Sequence, residues 1–492
     1  MPAARSRLSA SSARSELAAA IAALRTSLGL PDGFPTEVAA EAERAAREVP
    51  VDPDAAGLAD LRGIDLVTLD PAGSTDLDQA MHLAQTADGA ILHYAIADVA
   101  AFVEPGGAID AETRARGQTV YALDGRIPLH PPVLSEDAAS LLPGRDRRAY
   151  VWRIALDRGA RPVEVALTSA VVRSRRQWSY DDAQAAIDDG SAPPTLLALP
   201  WFGGARAHRE QERGGASLNM PETRAVQDEH GYRLERRATL PVEDWNAQVS
   251  LLTGIVAADV MLRGGIGLLR TMPAASPEDV AAFRERTRAL RLFWPEGEPY
   301  GDYLRRLDPA DPVALAVREA AAALFRGAGY AAFAGSRPAD PVQAAIAAPY
   351  AHVTAPLRRL ADRPALAVCE ALLNDRDVPT WAADMLPSVP QALARSGQRA
   401  GRLERDTVRR VEAALLTGRE GEVFEATVVA PRGGGVRVQL AHPPVEAVID
   451  AVDAPAGSTL AVRLDRADIR SGSVTLTPVP LAPSQAGAGP LG

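Results

Sequence analysis

The chain has no lysine: all 53 of its basic residues are arginine. We read that absence as a composition biased towards arginine and alanine. The informative point is where the arginines gather: Arg173/Arg175/Arg176, Arg206/Arg209/Arg213, Arg358/Arg359/Arg363 and Arg395 to Arg410. A net charge of −10 argues against a polyanionic partner only if it is evenly spread, and arginine suits bidentate phosphate contacts. Cysteine is almost as scarce. The single Cys369 excludes an internal disulfide, sits in an apolar helix-like stretch that suits packing, and points to a reducing cytoplasm. No apolar run reaches the ~18 residues of a membrane span. Met1–Glu16 lacks the apolar core of a signal peptide, and Leu17–Leu24 is short and followed at once by Arg25. No membrane association is therefore expected. His93, His130 and His352 are scattered without metal-ligand spacing, which argues against zinc. Aromatics also thin out, with Phe424 the only one after Trp381.

Against that background stands one dense run of acid. Asp70-Pro71-Ala72-Gly73-Ser74-Thr75-Asp76-Leu77-Asp78-Gln79 packs three carboxylates behind the apolar stretch Ile64–Leu69, which has the shape of a buried strand ending in a Pro/Gly turn. Crowded carboxylates do not all stay ionised without a cation between them, and Mg²⁺ typically takes one or two carboxylates together with phosphate oxygens. The other reading is a polar turn that happens to be acidic.

The rest of the chain favours the metal. Ile91–Ala100 reads as a strand ending at Asp98. Then follow Tyr121, Ile127-Pro128-Leu129-His130-Pro131, Leu134–Leu141, and much later His352-Val353-Thr354-Ala355-Pro356-Leu357-Arg358-Arg359-Leu360-Ala361-Asp362. In this order the segments resemble the catalytic (RNB) domain of the ribonuclease II and ribonuclease R family, whose signatures run D-x5-D-x-D-D-A, I-A-D, I-P-x-x-P, L-S-x-x-x-x-S-L and H-x-T-S-P-x-R-x-Y-x-D. Each motif is short; their order between Asp70 and Asp362 carries the resemblance.

That resemblance implies a processive 3′→5′ exoribonuclease that hydrolyses single-stranded RNA to 5′-mononucleotides with Mg²⁺ or Mn²⁺; a monomer is expected, in the cytoplasm that the cysteine usage suggests. It implies Asp70, Asp76 and Asp78 as metal ligands and catalytic residues, with Gln79 where the family has a fourth aspartate. An amide oxygen there can still ligate, but a full negative charge is lost. Arg358 would hold the scissile phosphate, the task of a guanidinium fork. Glu404 would complete the catalytic set; on a helix it points away from the Arg402/Arg405/Arg409 line. Tyr121 and Tyr180, with Trp178 beside the latter, would contact the terminal nucleotides by stacking, which tolerates every base.

The expected fold class is α+β, with strands first and helices after. Residues 1–56 form a helical N-terminal region, and its two helices fit a helix-turn-helix element or a packing arm. Residues 57–417 form the RNB-type catalytic domain. Within it Gln184–Ala207, rich in Pro and Gly, reads as a loop, and helices are expected over Ala247–Leu262, Pro277–Leu290, Pro312–Ala328 and Arg363–Leu373. Residues 418–480 alternate like a small OB-fold barrel of the ribosomal S-one type, and 481–492 read as a disordered tail. The family's upstream cold-shock domains find no room before residue 57. Two other functions fit parts of this pattern. A catalytically weakened RNA-binding protein on the same scaffold accounts for Gln79 and Ala355. A DNA-binding regulator using the N-terminal helices leaves the acidic run unexplained.

Overall fold

A computed structural model describes residues 11–480 apart from 123–124, 219–221, 229–230, 238, 309–310 and 456. The tail expected over 481–492 lies outside the described residues.

Two helices open the described chain, α1 (Ser11–Ser27) and α2 (Thr36–Glu48). Both are packed, as a packing arm would be. Leu17 and Ile21 of α1 meet Val411, Ala414 and Leu415 of the long helix Val389–Leu416 together with Ile469. Val38 and Ala42 of α2 join the core under the central sheet, and Glu41 accepts the Ala108 amide at 2.7 Å, capping the helix Ala108–Arg116. Pro35 occupies the cap position of α2, so Thr36 is its first helical residue.

The central sheet explains why the acidic turn is where it is. Its strands are β1 (Ala59–Asp60), β2 (Leu66–Asp70), β3 (Gln79–Thr86) and β4 (Gly89–Ala97). After a short hairpin, β5 (Val120–Ala122) and β6 (Gly125–Ile127), come the long β7 (Asp146–Asp157) and β8 (Pro162–Ser179). β8 pairs antiparallel with β7 along its first part and parallel with β2 near its end, so the sheet closes on itself. One face carries Leu92, Tyr94, Ile96, Trp152 and Ile154, each no more than 2% exposed and packed in one cluster with the helix Pro241–Gly264. At roughly 25 cal/mol per Å² of apolar surface, such fully buried side chains contribute about 1.5–3 kcal/mol each. That core fixes the end of β2 and the start of β3, hence the turn between them.

Helices cover both faces, α2 and Ala108–Arg116 on one and the longer helices on the other. Pro241–Gly264 is long and apolar enough, by length and composition, to cross a membrane, yet its inner face (Val249, Leu252, Val256, Met261) is core. The expected loop Gln184–Ala207 is instead largely helical: Tyr180–Asp188, Pro194–Leu197 and Leu199–Glu212. Its prolines sit in the first turns of helices, where no amide hydrogen is needed. Its Gly203 permits close contact with Trp245, whose Cδ1 a Cβ would meet at 2.2 Å. The helix expected over Pro312–Ala328 ends at Ala321, and Gly329–Ala334 is a strand paired with Ile266–Thr271.

Five strands from Val423 to Val479 form a nearly closed antiparallel sheet consistent with an OB fold. Phe424 is 6% exposed in its core, so it offers no stacking platform.

Candidate active site

A cavity of about 1140 Å³ opens at the ends of β2 and β3. Asp70, Asp76, Asp78, Gln79, Tyr121, Tyr180, Arg358 and Glu404 all line it. Five separate segments supply these residues, and the structure brings every one of them to the cavity lining.

The acidic turn is held from below. Gly73 takes φ +81°, a backbone that favours glycine. The Ser140 hydroxyl accepts the Leu77 amide at 2.9 Å and donates to the Thr75 carbonyl at 2.7 Å, while the Leu141 amide donates to the Leu77 carbonyl at 3.0 Å. The serine-leucine motif is thus a staple. Asp98 of the I-A-D motif is likewise structural: it caps the short helix Val99–Phe102 and pairs with Arg148 at 3.1 Å. Buried His130 bonds the Leu357 carbonyl at 3.0 Å, tying the I-P-x-x-P segment to the loop that carries Arg358.

Three of the four expected ligand positions have protein partners. Asp78, 3% exposed, accepts the Leu357 amide at 2.7 Å and Arg358 Nε at 3.1 Å. Asp76 is ion-paired with Arg126 of β6. The Gln79 side-chain amide donates to the Thr354 carbonyl. Asp70 differs: its Oδ2 is buried and has no hydrogen-bond partner. Burial pushes the Asp70 carboxyl up to about 7, with Arg358 pulling it down and Asp76 raising it. Burial pushes Asp78 up to about 7 as well, against the pull of Arg358. Carboxylates held that high stay ionised at neutral pH when a cation is supplied beside them. Among the described residues no three carboxylate or histidine side chains converge on one point. Of these four positions, Asp70 is the one that keeps a buried oxygen without a protein partner, and it is there that a cation would find a donor.

Arg358 is 44% exposed at its side chain and gives only its Nε to Asp78; its terminal nitrogens have no protein partner among the described residues. Arg359 is committed elsewhere, in a two-pronged pair with buried Asp362 at 2.8 and 3.0 Å. Glu404 stands on the cavity side of Val389–Leu416 with Ala400, Leu403 and Thr407, while Arg402 and Arg409 pair with Asp406 on the other side. Tyr121 is 57% exposed at the cavity mouth. Tyr180 starts a helix and is hydrogen-bonded to Asn246.

Trp178 is the correction. It is 7% exposed, belongs to the sheet core, and lies under the Arg176 guanidinium at 3.6 Å. Two residues apart on a strand would share a face, but Ser179 caps a helix by accepting the Asp182 amide at 3.1 Å, which breaks the alternation before Tyr180. Sequence reasoning missed Arg126, Glu243 and Asn246. Glu243 had only a weak signal, an acid in the first turn of Pro241–Gly264, where it accepts the Leu240 amide at 2.9 Å. Arg126 had none.

Known proteins resemble this chain in sequence and in fold. Over 320 residues the chain is 29% identical to the exosome complex exonuclease RRP44 of Mus musculus, covering 62% of this chain and 33% of that one. Over 194 residues it is 34% identical to ribonuclease R of Acidithiobacillus ferrooxidans, covering 38% and 44%. The chain thus spans less than half the length of these relatives. The structure of Mycoplasma genitalium RNase R in complex with ribose-methylated single-stranded RNA superposes with a TM-score of 0.83 at 20% identity, covering 94% of this chain and 78% of that one. Yeast Ssd1, a pseudonuclease, superposes at 0.63 and 16% identity, covering 85% and 53%. The RNB domain model matches residues 58–375 and the RNase II-type exonuclease C-terminal S1 domain model matches 422–479, so this chain belongs to the RNB-domain ribonuclease family.

Proposed function

We propose that this chain is a metal-dependent exoribonuclease that hydrolyses single-stranded RNA from its 3′ end to 5′-mononucleotides. One observation carries the reading: a buried, unpartnered Asp70 oxygen shares a cavity with a half-exposed Arg358 whose free nitrogens face the same space. A lone carboxylate oxygen asks for a cation, and a guanidinium with open terminal nitrogens asks for a phosphate.

A divalent ion held by Asp70, Mg²⁺ or Mn²⁺, would supply Lewis acidity towards water and phosphate. The chain's own residues do the rest. Arg358 binds the scissile phosphate and offsets charge that develops on it; Asp78, by taking its Nε and the Leu357 amide, fixes which nitrogens remain for the substrate. Glu404, brought to the same cavity by Val389–Leu416, serves as the general acid–base group. Tyr121 and Tyr180 offer ring faces to the last bases, and a stacking platform reads no sequence, as an exonuclease requires.

The test is a 5′-labelled oligoribonucleotide with Mg²⁺ or Mn²⁺, with and without EDTA. A ladder shortening from the 3′ end, abolished by EDTA, supports the reading; internal cuts independent of the end refute it. A second reading, RNA binding without turnover, is favoured by the pairing of Asp76 with Arg126, by Gln79, and by the likeness to a pseudonuclease. It predicts binding of the same oligonucleotide with no ladder in either metal.

A further inference from the structure

Arg126 is the cation that the acidic turn already has. It lies on β6 directly opposite Tyr121 of β5, so the hairpin that presents the exposed tyrosine also delivers a guanidinium to the acidic turn. One terminal nitrogen pairs with Asp76. The other reaches Glu136 Oε1 at 2.8 Å and the Thr75 hydroxyl at 2.7 Å, and that hydroxyl donates in turn to Glu136 Oε2 at 3.3 Å. Every partner of the fork is at or beside the turn.

Charge gives the meaning. Asp76 and Glu136 share the Arg126 guanidinium and Asp78 takes Arg358, while Glu243 and Glu404 line the rest of the cavity. Within the turn itself, Asp70 is the carboxylate that keeps an oxygen without a partner for a divalent ion. A second such ion would meet a neutral amide at position 79, already donating to Thr354, and a carboxylate at 76 already satisfied by a guanidinium. Like charges at this range repel by several kcal/mol in a partly buried site. We propose that Arg126 stands in for a second metal ion at Asp76, leaving a one-ion site seated on Asp70, with Gln79 the complementary change. The inference rests on the exoribonuclease reading, and it makes Arg126 a positioning residue, since it acts through Asp76.

The experiment counts Mn²⁺ bound to the full chain without RNA, by calorimetric titration and by the electron paramagnetic resonance of free Mn²⁺. Wild type should bind one ion. The double variant Arg126→Gln/Gln79→Asp should bind two, and Arg126→Gln alone should bind its Mn²⁺ on the order of tenfold more tightly, because a competing positive charge is gone. Arg126→Lys keeps the charge and should stay at one ion, and it serves as the folded control if the glutamine variants melt early. Two ions on wild type, none on wild type, or weaker Mn²⁺ binding by Arg126→Gln overturns the inference. Weaker binding would mean that Arg126 orients Asp76 as a ligand. RNA digestion by the same preparations is read separately: one ion bound without a ladder refutes the nuclease reading and leaves the role of Arg126 standing.

Discussion

Substituting Glu412 by glutamine should stabilise the protein at alkaline pH and leave it unchanged in acid. Glu412 lies on Val389–Leu416 where that helix meets the C-terminal barrel. It is 9% exposed and accepts the Glu446 amide at 3.2 Å. Burial pushes its carboxyl up to about 7 from an ordinary 4.5; the Glu446 amide pulls the other way and the Glu446 carboxylate adds to the rise. The folded chain thus holds a proton that the unfolded chain releases, so stability falls as pH climbs from 4.5 through 7. At about 1.4 kcal/mol per pH unit the interval amounts to about 3 kcal/mol as a ceiling, complete above pH 7 and absent below pH 4.5. Glutamine keeps an oxygen for the Glu446 amide and has nothing to ionise. Scanning calorimetry of both proteins at pH 4.5 and pH 8 should show the variant melting several degrees higher at pH 8 only. An equal gain at both values would mean a packing effect, and no gain at pH 8 would mean that water reaches the carboxylate; either refutes the argument.

Asp78→Asn should reduce RNA turnover by at least about a hundredfold, because Arg358 loses the charge that orients it, while filter binding of RNA changes little. Activity within a few fold of wild type would remove Asp78 from the site. Tyr121→Ala should weaken binding of short oligoribonucleotides by about 1–3 kcal/mol in a fluorescence titration and leave Mn²⁺ binding as it was. Single-stranded RNA should be degraded in preference to DNA of the same sequence, and a blunt RNA duplex should resist where a hairpin with a 3′ tail is shortened; gel analysis of the products checks both. Gln79→Asp alone should lower the Mn²⁺ concentration for half-maximal activity, and an unmoved titration would place residue 79 away from the ion.

The parts of the site that could be read from the chain are those whose chemistry is written locally. The acidic turn, the arginine after Thr354-Ala355-Pro356-Leu357, and Glu404 on a helical face opposite its arginines each carry their own spacing, and all reach the cavity. Arg126 carries none: it is one of many arginines, and only the hairpin's approach to the acidic turn gives it meaning. Trp178 failed for a geometric reason, since a helix starting at Tyr180 ends the two-residue period that would have turned both rings the same way. Pro194 and Pro200 misled in the opposite direction, because proline breaks helix interiors but is at ease in a first turn. The barrel was legible as alternation, but alternation says which residues face in, and it faces Phe424 inward.

One helix touches two things that would otherwise be independent. The middle of α1 is wedged against the long helix and Ile469 of the barrel, with Glu16 reaching Arg470 at 3.3 Å. Its end, through Leu24 and the following Leu30, packs on Val120 and Ile127 of the Tyr121 hairpin and on Leu403, next to Glu404. Packing through α1 therefore ties the barrel to the hairpin at the cavity mouth, beside the covalent route along Val389–Leu416, so that trimming Leu17 or Leu24 loosens a seam that both parts share.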